Sequence, residues 1–174
     1  MRTPGKTRRA WVLAACVISL GAARVEATAR AAADRVRIDP PHYGAVDRAL
    51  KGARHRLARP GCQRIFSDFH DAAGRPLHEE LERLGATGEG FLGDLFFYEG
   101  SPGGRCANGV TLAYTYPTSR VVFVCPTEFA RAARHDPFLT EAALIHESLH
   151  SLGLGENPPS SASITARVMA RCRQ

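Results

Sequence analysis

Hydrophobic positions along the chain change their period twice. From about Ala45 to Leu57, the apolar residues Val46, Leu50 and Leu57 fall near helical spacing, and Pro60-Gly61 breaks the run. QRIFSDF predicts a short helix with Ile65, Phe66 and Phe69 turned inward. DAAGRP (71–76) reads as a turn, and LHEELERL (77–84) as a helix with Leu77, Leu81 and Leu84 on one face. The texture then becomes β-like. FLGDLFFYEG (91–100) has strand character, and SPGGRCANG (101–109) is a loop rich in turn formers. TLAYTY (111–116) and VVFVC (121–125) predict a hairpin joined by PTSR.

Helical spacing then returns. TEFARAAR predicts a short helix. Asp136 as N-cap and Pro137 in the first turn open a helix that runs to about Leu152, with Gly153 as its C′ residue. A last helix runs to Cys172, with Ile164, Val168 and Cys172 four apart. Residues 30–42, ending in DPPH, predict a leader without fixed structure. The order is helices, a small sheet, then helices. That is an α+β class, in one domain over residues 30–174.

Composition fits a globular chain, with 44% hydrophobic and 23% charged residues among 174. Aromatics are only 7%, so the core rests mainly on Ala, Leu, Val and Ile. The net charge of +6 suggests a nucleic-acid binder, but its location removes that reading. Residues 1–29 carry Arg2, Lys6, Arg8, Arg9 and Arg24 against Glu26 alone, whereas residues 30–174 carry 18 basic and 16 acidic side chains. No basic stripe interleaved with aromatics appears, so no nucleic-acid partner is expected.

The amino terminus reads as an address. MRTPGKTRR is a positive n-region, AWVLAACVISLGAA an apolar stretch, and Ala27-Thr28-Ala29 an A-x-A pattern. This is the layout of a secretory signal over residues 1–29, with cleavage expected near Ala27 or Ala29. Leu13-Ala14-Ala15-Cys16 also resembles a lipobox, and Thr7-Arg8-Arg9 a twin-arginine signal, so the export route stays open. No other stretch is apolar enough to span a membrane, so no transmembrane anchor is expected after signal removal.

Cysteine usage agrees with export. Without Cys16 four remain, Cys62, Cys106, Cys125 and Cys172; an even number points to two disulfides, with three pairings open, and four buried free thiols are the other reading. Cys106 and Cys125 flank the expected hairpin and form the natural local pair. Cys62 with Cys172 would then tie the first helical part to the carboxyl end.

Candidate chemistry sits at His146-Glu147-Ser148-Leu149-His150, on the helix that Asp136 opens. Two histidines four apart lie on one face, one turn above each other, and can converge on one zinc ion. Glu147 points off at about 100°, which suits a general base and acid rather than a ligand. Zinc in such a site acidifies water toward a pKa of about 7. A catalytic zinc takes three protein ligands, and beyond Glu156 the chain has no Asp, Glu or His. Glu156, six residues past His150 and just after a glycine turn, is therefore the downstream candidate. A solvated loop carboxylate is its other reading. An upstream histidine, His42, His55, His70, His78 or His135, could also serve, although none has a favourable spacing.

The string HESLHSLGLGE (146–156) resembles the zincin metallopeptidases. Within them it is most similar to the metzincin pattern HExxHxxGxxH, with Glu156 where the third histidine stands. The likeness covers 11 residues and the hairpin-then-helix order. Met169, the one methionine after the motif, lies in a predicted helix and is not assigned the metzincin methionine turn. The wider string through Cys172 is also similar to small exported bacterial proteins. The resemblance implies a zinc peptidase acting on peptide or protein substrates. One strand of the 111–125 hairpin would border the cleft and pair with an extended peptide. Tyr114, Tyr116 or Arg120 would be candidate donors to an oxyanion, or ordinary strand packing. Two other functions stay open. One is a zincin scaffold that holds zinc or a partner without turnover. The other is a metal hydrolase acting on a non-peptide amide or cell-wall material.

Overall fold

The computed structural model of the chain describes residues 35–100 and 104–173. The expected signal segment lies outside the described residues. Chain order is β1 (Val36–Arg37), α1 (Pro40–Leu57), α2 (Pro60–Gln63), α3 (Ile65–Asp68), α4 (Leu77–Arg83), α5 (Gly88–Gly93) and β2 (Phe96–Glu99). A 3-10 turn over Gly104–Asn108 follows, then β3 (Ala113–Tyr114), β4 (Val121–Val124), α6 (Pro126–His135), α7 (Pro137–Ser151) and α8 (Ser161–Cys172). The class is α+β, as the hydrophobic pattern predicts.

The four strands form one mixed sheet in the order β1-β2-β4-β3. β2 runs parallel to both β1 and β4, whereas β3 turns back antiparallel on β4, with Tyr114 opposite Phe123. The expected hairpin is therefore present, although only two residues of its first arm are strand. Alternation places Phe97, Val122 and Val124 in the core.

Two expectations are corrected. The segment 91–100 is not one strand, because its first residues complete α5. Thr87 caps that helix by accepting from the Gly90 N–H at 3.0 Å, and the chain extends only from Phe96. Residues 30–42 are not an unstructured leader throughout. Val36 and Ile38 are buried, and α1 begins at Pro40, where a proline in the first turn costs no hydrogen bond.

The helix α7 is central. It packs along α1, α6 and α8, and Leu144, Ile145 and Leu149 are fully buried. Asp136 caps its start, accepting from the Leu139 N–H at 3.2 Å. At its end Gly153 takes φ +108, a conformation that favours glycine, and the His150 and Leu149 carbonyls accept from the Gly153 and Leu154 N–H groups. Gln63 and the residues before it are tied to the carboxyl end by Cys62–Cys172, and Cys106–Cys125 closes the loop before the hairpin. Both pairs are the expected ones, and they fit a non-reducing compartment. Among the described residues no helix is long and apolar enough to cross a membrane.

Candidate metal centre

The α7 backbone puts His146 and His150 one turn apart, and their ring centroids lie 4.8 Å from each other. The two Nε2 atoms are 2.9 Å apart. Past the glycine turn the chain folds back, bringing Glu156 Oε1 to 3.7 Å from His150 Nε2. One ligand atom from each of the three residues lies within 4.8 Å of the other two. The loop carboxylate is thus drawn to the histidine pair. None of the five upstream histidines joins this group among the described residues.

Each ring is fixed from behind. The His150 Nδ1–H donates to the Leu154 carbonyl at 2.8 Å. That carbonyl can only accept, so the neutral ring keeps its proton on Nδ1 and turns the Nε2 lone pair toward His146 and Glu156. His146 Nδ1 lies 2.9 Å from the Thr165 hydroxyl on α8. Outer partners of this kind set the tautomer and orientation of ligating histidines. Burial, then the neighbouring His150, lowers the His146 pKa to about 3, so its imidazole is neutral at pH 7. Neutral imidazole is the form that ligates.

The donor set fits a divalent ion. Two nitrogens bound tetrahedrally at zinc distances lie about 3.3 Å apart, close to the spacing here. Two imidazoles and one carboxylate form a zinc-type donor set. His146, His150 and Glu156 would hold the ion, and among the described residues no fourth His, Cys, Asp or Glu joins them.

Glu147 faces the same cavity, about 400 Å³ in volume, that His146, His150 and Glu156 line. Its side chain is buried, and burial followed by repulsion from Glu156 pushes its pKa up to about 8. A backbone hydrogen bond from Thr115 and the charge of Arg105 act the other way. Buried carboxyl groups raised in this manner cluster at reactive sites. The facing wall is Ala113 to Pro117, the end of the outermost strand and the turn after it. That turn is tethered to α7 by the Thr118 N–H, which donates to the His150 carbonyl at 3.0 Å.

Of the three expected oxyanion donors, Tyr114 and Tyr116 line the cavity. Arg120 does not. Its guanidinium sits over the Phe91 ring, 4.4 Å from the centroid, and it lines a separate cavity with Arg75, Arg83 and Gly153. Arg120 precedes β4, and it shares a cavity wall with Thr118, Ser151 and Leu152 rather than with the histidines. Two residues that sequence reasoning missed take part instead. Thr165 lies on a helix whose only sequence signal is its apolar stripe. Arg105 lies in the turn-rich loop, marked only by its neighbour Cys106. Comparison with protein families, with curated proteins and with solved structures finds no match, so the geometry of the site carries the functional argument by itself.

Proposed function

We propose that the protein is an exported zinc-dependent hydrolase that cleaves peptide bonds, with His146, His150 and Glu156 as metal ligands and Glu147 as general base and acid. One observation carries this reading. A three-residue donor group and a buried carboxyl that is not part of it share one cavity open to solvent. Burying a carboxyl group is costly, and a purely structural metal site has no use for one beside its ligands.

Zinc bound there supplies Lewis acidity, which polarises a carbonyl and acidifies water. The chain's own groups do the remainder. Glu147, brought toward its ionised form by a nearby cation, takes a proton from water in the cavity and returns it to the leaving nitrogen. Tyr114 and Tyr116 line the opposite wall and in this reading bind the substrate backbone or the developing oxyanion. Ala113–Tyr114, on the outermost strand, offers an edge to an extended peptide. The paired cysteines and the signal-like amino terminus support export.

The test is zinc content together with turnover of a mixed peptide library, read by mass spectrometry. Glu156→Ala is expected to lose most of its zinc. Glu147→Ala is expected to retain zinc and lose turnover. A scaffold that only holds zinc predicts the same metal loss in the first variant but no cleavage by the unaltered protein. Full zinc in Glu156→Ala would overturn the ligand assignment.

A further inference from the structure

The charged side chains of the cavity wall include one cation, Arg105. Arg56, Arg83 and Arg171 each pair with a carboxylate. Arg105 pairs with none among the described residues. Its guanidinium instead lies over two aromatic rings, 5.6 Å from the Tyr114 centroid and 5.5 Å from that of Tyr116. Tyr114 is itself braced by stacking on Phe123, with centroids 5.2 Å apart. The next residue, Cys106, is bonded to Cys125 at the end of β4, which pins the 3-10 turn that carries Arg105.

We infer that Arg105 is an anion subsite of the cleft, selecting ligands that carry a carboxylate near the group held at the metal centre. This rests on the metal-site reading above. Three arguments support it. Contact with an aromatic face holds a guanidinium while leaving its in-plane N–H fork available for a carboxylate. The disulfide fixes the turn that carries Arg105, and the ring platform gives its exposed side chain a preferred position, so less freedom is lost on association. Charge completes the case. The charged side chains lining the cavity are Arg105, Glu147 and Glu156. A divalent ion would balance the two carboxylates and leave the arginine's positive charge unmatched, so an anionic ligand is the complementary one.

The carboxylate can come from an acidic side chain or from a chain end, and binding assays can separate these without any turnover. The first probes are ω-carboxyalkyl hydroxamates of graded length, each matched with its neutral amide, titrated into zinc-loaded protein by calorimetry. The hydroxamate anchors on the metal. At one or two lengths the carboxylate is expected to bind about tenfold or more tighter than the amide, as a charge-assisted bidentate pair warrants. Arg105→Met should erase that difference with zinc content unchanged, and Arg105→Lys should restore part of it. Succinyl-hydroxamate dipeptides then distinguish the sources: Glu with an amidated end, Gln with a free end, and Gln with an amidated end as the neutral reference. Preference for either acidic form supports the inference and names the source. Equal binding of acid and amide, or a preference that survives Arg105→Met, overturns the inference and leaves the metal centre standing. If no hydroxamate binds, the metal-centre reading fails, and the subsite falls with it.

Discussion

The Thr165 hydroxyl on the last helix lies 2.9 Å from Nδ1 of His146, nineteen positions upstream. The contact means that α8 helps to orient an imidazole of the candidate metal group while adding no residue to that group. Thr165→Val removes the hydroxyl with little change of shape. Loss of such an outer partner typically weakens metal binding by about tenfold or more. Competition against a fluorescent chelator should show that loss, with Thr165→Ser near the original affinity. Equal affinity in all three proteins would mean that packing alone sets the ring.

Asp68, at the end of α3, ties that helix to α8. Its carboxylate accepts from Arg171 Nε and Nη2, each at 2.7 Å, across 103 residues. The hydrogen bond from Arg171 holds the Asp68 pKa below its ordinary value of 3.8, against the opposing effect of partial burial. A carboxylate with a depressed folded pKa contributes stability that is present above its unfolded pKa and lost as pH falls through the folded one. Thermal melts from pH 6 down to pH 2 should therefore show a steeper acid loss below about pH 4 in the original protein than in Asp68→Asn. At neutral pH the variant should be less stable by about 1 kcal/mol, given that Arg171 is partly in solvent. Parallel pH profiles would remove this pair from the account.

The Cys62–Cys172 bridge joins residues 110 apart. A crosslink closing so long a loop removes much freedom from the unfolded chain, and its loss typically costs about 2–5 kcal/mol. The double variant Cys62→Ala, Cys172→Ala should unfold at markedly lower denaturant than the protein lacking Cys106 and Cys125, whose loop spans only 19 positions. Denaturation curves under oxidising conditions make that comparison, and the reverse ranking would count against the entropic argument.

Gly88 sits against the Phe66 ring, where an added Cβ would come within 2.2 Å of Cε2. Phe66 is buried and has no room to retreat. Gly88→Ala should therefore destabilise the fold by about 1–3 kcal/mol through overpacking, read from urea midpoints. Phe66→Leu in the same background should recover part of the loss. An unchanged midpoint would show that the ring moves freely.

Local grammar carried much of the architecture. Asp136, Pro137 and Gly153 bound the α7 helix almost where the capping pattern puts them, whereas the cysteine count left three pairings open and the fold selected Cys62–Cys172 and Cys106–Cys125. The errors fall where local signals compete. FLGDLFFYEG is apolar enough for a strand, but Thr87 and its cap commit the first half to helix. Arg120 ends the turn before β4, and the path of that turn, which no local pattern specifies, puts its side chain over Phe91 in a separate cavity.

What the sequence determined was the helix, the spacing of His146 and His150 on it, and the neighbouring Glu147, because a regular helix converts separation along the chain directly into direction in space. What tertiary structure decided was everything reached through irregular backbone or from another element. The return of Glu156 to the histidines, the Thr165 hydroxyl behind His146 and the seat of Arg105 on two tyrosines depend on loop paths and packing. No local periodicity encodes those.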